Sequence, residues 1–305
     1  MSDSARTPGE DRHRARTPGE AWATGITDTA PGIIRIRGYP IGEIIDRLSY
    51  AGTVWLTVTG ELPTPWQERL LNAALVAGID HGPQAPSIAA ARMAATCGVG
   101  LSQAVGTGVN MLGDIHGGAG QNCMELLEQL RREQESSGAG ESAVVSRAVA
   151  RYRQSRRFVP GFGHRMHTRD PRRDPLLGLV ESAVADGAAS GEYLRIATAL
   201  ERELIAAHGK PIPMNVDGAT AVVYSELGLA PPLGKGLFAL SRSIGLLAHA
   251  WEQMQEGARI KGPLPPGEAA RYTGPAPRHI NPAAPGPRLR PEKFSLPDNL
   301  GGALD

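Results

Sequence analysis

The sequence predicts an all-α fold made of many helices, and three observations support that prediction. Beyond residue 40, successive segments carry apolar residues at helical spacing. No segment after residue 40 alternates apolar and polar side chains as a half-buried strand would. Several segments are rich in alanine and glycine, which suits closely packed helices or a subunit interface. With 305 residues, the chain is long enough for one large domain or two smaller ones.

The N-terminal part adds little to this helical core. Residues 1–30 are polar and repeat Ala-Arg-Thr-Pro-Gly-Glu at 5–10 and 15–20, a composition that predicts a disordered tail. Two copies are too few to indicate a repeat architecture. Residues 33–38 alternate apolar and basic side chains and predict one short strand. A helix is predicted next, over residues 41–59.

A well-marked helix start follows at Thr64. Thr64 can cap the helix, Pro65 suits its first position, and Gln67 stands where it completes a capping box. This helix is predicted to end near Gly78. Further helices are predicted over residues 87–97, 101–115, 122–135, 143–155, 176–188, 193–208, 219–227 and 237–255. Proline and glycine dominate from residue 262 onward and predict an extended tail.

Composition and charge indicate an ordinary globular protein. Apolar residues make up 41% and charged residues 21%, and the net charge of +1 gives no general attraction to nucleic acid or to an anionic membrane. No apolar run approaches the ~20 residues that span a bilayer, and the charged N-terminus lacks a signal-peptide core. Cys97 and Cys123 have no CxxC spacing and are expected to be reduced thiols. We therefore expect a cytoplasmic protein without nucleic-acid or membrane partners.

Three short motifs combine a proton-transfer side chain with glycine. His116 stands in Asp-Ile-His-Gly-Gly-Ala, His164 in Pro-Gly-Phe-Gly-His-Arg, and Asp217 in Asn-Val-Asp-Gly. Each histidine has a structural interpretation as a side chain that bonds the nearby backbone. Asp217 has one as well, because Asp is a preferred N-cap and a helix is predicted to begin directly after it.

Taken together, the three motifs indicate acid–base chemistry. They lie in three separate loops, which can converge on one cleft. A carboxylate and two imidazoles suit proton transfer at a carbon next to a carbonyl group. Asp217 can abstract or return the carbon proton, while the two histidines hydrogen-bond the developing enolate oxygen and a second oxygen.

A metal site is the main competing interpretation of the histidines. His164 and His167 form an HxxH pair, but neither an HExxH motif nor a set of cysteine ligands accompanies it. We therefore expect no metal. A dinucleotide-binding fold is also disfavoured, because the glycines after His116 follow a predicted helix and the G-x-G-x-x-G motif is absent.

The three motifs, in this order, resemble those of the citrate synthase family. The family's catalytic triad is formed by the His of His-Gly-Gly-Ala, the His of Pro-Gly-x-Gly-His and the Asp of Asn-Val-Asp. The resemblance covers residues 33–275 and implies that His116, His164 and Asp217 are catalytic. It also implies coenzyme A thioester as a substrate, no tightly bound cofactor, and a homodimer or larger homo-oligomer.

The resemblance implies the family's two-domain helical fold. A large helical domain is expected at 31–119 and 235–305, and a smaller helical domain on the coenzyme A side at 120–234. The active site is expected in the cleft between them. Closure of the small domain would exclude water and complete the site, with the glycines after His116 at the hinge.

Three further positions match substrate-binding residues of the family. They are His81 in Asp-His-Gly-Pro, Arg172 in Asp-Pro-Arg, and Arg242 in Ser-Arg-Ser. An arginine can hold a carboxylate through two charge-assisted hydrogen bonds. Without the resemblance, Arg172 would be interpreted as a surface charge and Arg242 as part of a helix-face salt bridge.

The turn before His164 is expected to contact coenzyme A. Its glycines, Gly161 and Gly163, flank Phe162 so that backbone amides can face a ligand, and the basic residue Arg165 follows directly after His164.

The chain departs from a typical synthase at one substrate contact. The family usually supplies another carboxylate-binding arginine across the dimer, from an Arg-Pro near the C-terminus. Here Gly262 precedes Pro263 at that place, and Arg259 or Lys261 would have to substitute. The short length and the wording of the Asp-His-Gly-Pro and Gly-Asp-x-His-Gly-Gly-Ala motifs look more like the small citryl-CoA lyases.

We therefore expect a lyase that cleaves citryl-CoA to acetyl-CoA and oxaloacetate. His164 would accept the hydroxyl proton, His116 would stabilise the thioester oxygen, and Asp217 would return a proton to carbon. One alternative is condensation of an acyl-CoA with oxaloacetate or another 2-oxo acid. An alternative from another class is a non-catalytic coenzyme A-binding protein, against which the retention of all three proton-transfer residues argues.

Overall fold

The structure, a computed structural model, describes residues 22–164, 167–265, 267–268 and 270–279. Two compact units divide the chain, Met1–Lys261 and Gly262–Asp305. All the helices and strands given below lie in the first unit, and the described residues of the second contain neither helix nor strand. Among the described residues, no helix combines the length and apolar character that a membrane crossing requires.

The first unit begins with a small antiparallel sheet. Strands β1 (Thr27–Ala30), β2 (Ile33–Ile36) and β3 (Tyr39–Pro40) pair in the order β1-β2-β3. The sequence predicted only the β2 region, because a four-residue and a two-residue strand are too short to produce a periodic signal. The tail predicted to extend to residue 30 therefore overlaps β1; its first 21 residues lie outside the described part.

Helices form almost all the rest of this unit, as the sequence predicted. They are α1 (Ile41–Arg47), α2 (Tyr50–Thr59), α3 (Pro65–Gly78), α4 (Pro86–Thr96), α5 (Leu101–Asn110), α6 (Ala119–Ser137), α7 (Glu141–Gln154), α8 (Arg173–Ala185), α9 (Glu192–His208), α10 (Val216–Glu226) and α11 (Pro231–Gln255).

Helix ends depend on local hydrogen bonds that periodicity does not reveal. The helix predicted over 41–59 is broken into α1 and α2, because the Ser49 side chain caps α2 by accepting from the Gly52 amide. The capping box at Thr64 is confirmed, with Thr64 and Gln67 each bonding the other's backbone amide. Helix α5 ends at Asn110, so the residues before His116 belong to a turn and not to a helix.

Helix α10 lies at the centre of the main core. Its side chains are buried around the whole circumference, as in a helix enclosed by protein. Helices α3, α6, α8 and α9 pack around it. A smaller core joins α4, α5 and α11, where a Cβ added to Gly108 would lie 2.6 Å from the Leu246 side chain. The alanine- and glycine-rich helices are therefore closely packed, as predicted.

Candidate active site

His116 lies in the turn between α5 and α6 and is held by the first turn of α4. Its Nε2 accepts a hydrogen bond from the Ser87 amide at 3.2 Å and lies 3.0 Å from the Ser87 hydroxyl. Because an amide can only donate, Nε2 carries no hydrogen, and the neutral ring carries it on Nδ1. Partial burial, and then the charge of Arg242, lower the pKa of His116. The ring is thus a neutral hydrogen-bond donor through Nδ1.

His164 follows a turn that pairs with the chain leading into α10. Phe162 and Met214 form an antiparallel bridge, the Gly163 amide donates to the Pro213 carbonyl at 2.7 Å, and the Asn215 amide donates to the Gly161 carbonyl at 3.0 Å. These bonds set the position of His164 relative to the start of α10.

The same bonds correct one expectation about this turn. The Phe162 amide donates to the Val159 carbonyl and the Gly163 amide to the Pro213 carbonyl, so neither amide faces a ligand, contrary to the sequence prediction. The Gly163 amide is used in the pairing with the segment before α10, and the Phe162 amide is used within its own turn. Arg165 lies outside the described residues.

The His164 ring is engaged through its other nitrogen. Its Nδ1 accepts from the His167 amide at 3.1 Å, which leaves the hydrogen of a neutral ring on Nε2. The two imidazoles are in contact, with centroids 4.4 Å apart. Partial burial, and then the neighbouring His167, lower the pKa of His164. Within the described ranges, no three His, Cys, Asp or Glu side chains are grouped so that they could hold a metal ion.

Asp217 lies in the first turn of α10, but it does not cap that helix. The cap is Asn215, whose side-chain oxygen accepts from the amides of Asp217 and Gly218 at 2.9 and 3.2 Å. The capping interpretation of Asp217 is therefore wrong. Its carboxylate forms no hydrogen bond to another described residue.

The surroundings of Asp217 favour its protonated form. Burial raises the pKa of this carboxyl group, while the charges of Arg172 and Arg242 act in the opposite direction. The N-terminus of α6 runs alongside, and a Cβ added to Gly120 would lie 4.0 Å from the Asp217 carboxylate. A carboxyl group with a raised pKa can donate as well as accept a proton near neutral pH.

Arg172 is fixed by a fully buried aspartate that the sequence analysis did not single out. Asp170 accepts from Arg172 Nε at 2.9 Å and Nη2 at 2.8 Å, and its side chain is 0% exposed. It also accepts from the Val216 amide at the start of α10. The interpretation of Arg172 as a surface charge is wrong, since its side chain is only 22% exposed.

Arg242, on α11, is almost completely buried. Its Nε donates to the Gly78 carbonyl at 3.1 Å, and its guanidinium lies 4.8 Å from the centre of the Phe238 ring. Among the described residues no carboxylate lies within ion-pair distance of it, so it does not form the helix-face salt bridge considered above. A buried cation without a carboxylate partner suits an anionic ligand.

His81 lies beside both arginines. Partial desolvation, followed by the charges of Arg172 and Arg242, lowers the pKa of His81. Its ring meets that of His164 edge-on, with centroids 6.0 Å apart. The preceding Asp80 accepts from the Gly82 amide at 3.1 Å and faces His249, 3.2 Å away.

The predicted site residues therefore share one electrostatic environment. The side chains that respond to the charge of Arg172, Arg242 or both are His81, His116, His164 and Asp217. The structure brings these six side chains together; their roles in catalysis and binding remain predictions.

A cleft of about 830 Å³ opens beside His164. Gly163 and Phe162 line it, and the 95% exposed Phe158 lies at its edge. Its other lining includes the cationic residues Arg153, Arg156, Arg157 and Lys210 and the histidines His167 and His208. None of the described lining residues is acidic. The sequence analysis did not identify this site, although the run of arginines at the end of α7 could have indicated it.

The two residues considered as substitutes for the missing arginine, Arg259 and Lys261, differ in their surroundings. Lys261 Nζ bonds Gln253 at 3.0 Å and Glu256 at 3.1 Å, so its charge is already compensated. Arg259 is exposed.

Comparison with known proteins gives a consistent result. The profile of the citrate synthase C-terminal domain matches residues 63–263. A citrate synthase of Acidithiobacillus ferridurans is 31% identical over 277 residues, which cover 87% of this chain and 67% of that protein. The chain covers only 64% and 58% of two other curated citrate synthases that it matches.

Solved structures share the fold. The citryl-CoA lyase of Hydrogenobacter thermophilus is 34% identical, with a TM-score of 0.75 over 85% of this chain and 97% of that one. A citrate synthase of Thermoplasma acidophilum, in complex with carboxymethyl coenzyme A and oxaloacetate, is 27% identical, with a TM-score of 0.65 over 77% of this chain and 60% of that one.

Proposed function

Because the chain belongs to the citrate synthase family, we propose that it cleaves citryl-CoA to acetyl-CoA and oxaloacetate. The observation that carries the chemistry is the Asp217 carboxyl group, which Asn215 relieves of capping and which burial makes easier to protonate. The lyase reaction is favoured by the similarity to a citryl-CoA lyase over 97% of that protein's length.

Cleavage requires a base, an electron sink and an acid. His164 removes the proton of the tertiary hydroxyl group, and the carbon–carbon bond breaks to give oxaloacetate. The electron pair of that bond moves into the enolate of acetyl-CoA, whose oxygen accepts a hydrogen bond from Nδ1 of His116. Asp217 then donates a proton to the methylene carbon, which becomes the methyl group of acetyl-CoA.

The tautomers of the two histidines support different parts of this reaction. His116, neutral and with hydrogen on Nδ1, is suited to the enolate oxygen throughout. His164, with hydrogen on Nε2, is suited to donate to the carbonyl oxygen of oxaloacetate. To act as a base on citryl-CoA, Nε2 must be free of hydrogen, and the hydrogen of the neutral ring must then lie on Nδ1. In that tautomer Nδ1 cannot accept from the His167 amide, so this hydrogen bond must break.

Substrate carboxylates are assigned to the two arginines. Citryl-CoA has two free carboxylates, and Arg172 and Arg242 offer two guanidinium groups near Asp217. Each arginine is held by its Nε side, Arg172 on Asp170 and Arg242 on the Gly78 carbonyl. His81, whose pKa both arginines lower, is a further hydrogen-bonding group beside them. This pair can hold both carboxylates without a third arginine at Gly262.

The cationic cleft beside His164 is assigned to coenzyme A. Arginine and lysine side chains without acidic neighbours suit the phosphate groups of that molecule. The exposed ring of Phe158 offers a face on which an adenine base can stack. The thioester end of the ligand would then point past Gly163 towards His164.

We also expect a homodimer or larger homo-oligomer. Several large apolar side chains are exposed on α11 and just after α5, next to the smaller core of α4, α5 and α11. They are Met111, Ile244, Leu247 and Trp251. A second copy of the chain would cover them, and burial of such a patch favours association. Analytical ultracentrifugation measures the oligomeric state. If the protein sediments as a monomer at micromolar concentration, this expectation is wrong.

Condensation with thioester hydrolysis is the second candidate, because the sequence relatives are citrate synthases. Purified protein given citryl-CoA distinguishes the two. A lyase releases acetyl-CoA and oxaloacetate, whereas a synthase releases free coenzyme A and citrate. The lyase proposal fails if coenzyme A and citrate form instead of acetyl-CoA and oxaloacetate. The assignment as an enzyme fails if neither product pair forms and if acetyl-CoA is not condensed with any 2-oxo acid.

A further inference from the structure

Resting on the proposed function, we infer that Glu201 on α9 is a positioning residue of the active site. Together with Asp170, it holds the chain segment 214–216 that leads into α10. Through this segment it sets the position of the Asp217 carboxyl group, which it does not touch.

Three successive backbone amides of this segment are each bound by a different part of the molecule. The Met214 amide donates to Glu201 Oε1 at 2.7 Å, and the Val216 amide donates to Asp170 Oδ2 at 3.0 Å. Between them, the Asn215 amide donates to the Gly161 carbonyl at 3.0 Å. Two of the three acceptors are carboxylates, and hydrogen bonds to charged acceptors are stronger than those to neutral ones.

The same two carboxylates hold two neighbouring arginines. Asp170 binds the guanidinium group of Arg172, as described above. Glu201 binds that of Arg173, with 3.3 Å from Arg173 Nε to Oε1 and a second contact from Nη2 to Oε2. Each carboxylate therefore joins one amide of segment 214–216 to one arginine at the start of α8.

This arrangement links the two halves of the reaction site. Arg172 is one of the two proposed carboxylate-binding residues, and Asp217 lies one residue beyond segment 214–216. The Glu201 and Arg173 side chains are each only 13% exposed, so water cannot readily solvate either charge if its partner is removed. Removal of Glu201 would leave the Met214 amide and the Arg173 charge without their partner.

A small displacement of Asp217 is enough to slow proton transfer. A misplacement of ~1 Å in a catalytic group can lower a rate by ~10²-fold. Arg172 keeps its own partner, Asp170, when Glu201 is changed. Loss of Glu201 should therefore reduce kcat much more than it changes KM.

The test uses two substitutions of Glu201 and a matched control. Glu201→Ala removes both interactions, whereas Glu201→Gln keeps an oxygen acceptor for the Met214 amide and loses the ion pair. We expect kcat on citryl-CoA to fall by ~10–100-fold in the first and by less in the second, with KM changed less than ~3-fold. The control is Glu133→Ala, because Glu133 is 24% exposed and pairs with Arg147 and Arg151 away from the site. It should leave kcat within ~2-fold.

Amide hydrogen exchange gives a second readout that does not depend on turnover. Glu201→Ala should speed exchange at residues 214–218, and Glu133→Ala should not. The inference is overturned if the two alanine variants have equal kcat, if only KM changes, or if exchange at 214–218 is unaltered. A wild-type protein without turnover would refute the proposed function, and hydrogen exchange would still decide whether Glu201 holds the segment.

Discussion

At the scale of single residues, the division of roles between Asn215 and Asp217 explains how a carboxylate stays available at a helix start. Asn215 accepts from the amides of Asp217 and Gly218, so the helix start is capped without the aspartate side chain. From the sequence, only Asp217 is interpreted as a cap, although Asn has a similar preference for that position. Only the bond geometry separates the capping residue from the reactive one.

Asp217 should lower the stability of the protein at neutral pH. Burial raises its pKa in the folded state, so ionisation is less favourable in the folded chain than in the unfolded one. Its favourable contribution is present below the ordinary carboxyl pKa and is lost as pH rises through the folded-state value. Asp217→Asn should therefore unfold at a higher temperature than the wild type at pH 7, and this gain should shrink as pH is lowered towards 4.

Thermal unfolding across that pH range checks this expectation, with Glu181→Gln as a control at an exposed position within α8. The control should not show the gain. The expectation is wrong if Asp217→Asn is less stable than the wild type at pH 7, or if its gain in unfolding temperature does not depend on pH. Ionisation of Asp217 would then cost the folded protein no free energy.

At the scale of elements, apolar periodicity predicted the helices because their buried stripes are encoded locally. It could not predict the strands at Thr27–Ala30 and Tyr39–Pro40, which have no such pattern. The break at Ser49 depends on one side-chain hydrogen bond. Ser87, which holds His116, comes from a distant segment, whereas Asp170 stands only two residues before Arg172. The motifs alone name His116 and Arg172 but do not identify either partner.

One close approach in the site, between α10 and the turn before His164, needs glycine on both sides. A Cβ added to Gly218 on α10 would lie 2.4 Å from the Gly161 carbonyl oxygen, and one added to Gly161 would lie 2.7 Å from Gly218 Cα. Because backbone atoms cannot move aside as a flexible side chain can, Gly218→Ala should destabilise the fold by ~1–3 kcal/mol. It should also reduce turnover, since Asp217 is the preceding residue.

Gly178→Ala is the matched control, because nothing lies within 4 Å of a Cβ added to this residue of α8. It should stabilise the fold by up to ~1 kcal/mol, as expected for alanine in place of glycine inside a helix. Urea unfolding measures both changes. If Gly218→Ala were as stable as Gly178→Ala, the contact between α10 and the turn would not require glycine.

At the scale of the whole molecule, the predicted small domain at 120–234 carries His164, Arg172 and Asp217, whereas His81, His116 and Arg242 belong to the predicted large domain. The site therefore draws three residues from each side. If the two domains move, the three residues of one domain shift relative to the three of the other. This division remains a prediction, since the first compact unit extends without a break from Met1 to Lys261.

Closure of 120–234 over the rest should accompany binding of coenzyme A. Structures of the free protein and of its complex with coenzyme A and oxaloacetate, superposed on α4, α5 and α11, are expected to differ by a rotation of this segment. Identical positions of α8 and α10 in both structures would remove the domain movement from the mechanism.

In the proposed reaction, Asp217 returns a proton to carbon after cleavage, and deuterium labelling tests this step most directly. Citryl-CoA should be turned over in D₂O and the acetyl-CoA analysed by mass spectrometry. Since the Asp217 proton exchanges with solvent, the wild type is expected to place one deuterium in the methyl group of each acetyl-CoA. Asp217→Asn is expected to keep its fold and lose ~10²–10⁴-fold in rate. Acetyl-CoA without deuterium, or an asparagine variant with wild-type turnover, would contradict the claim.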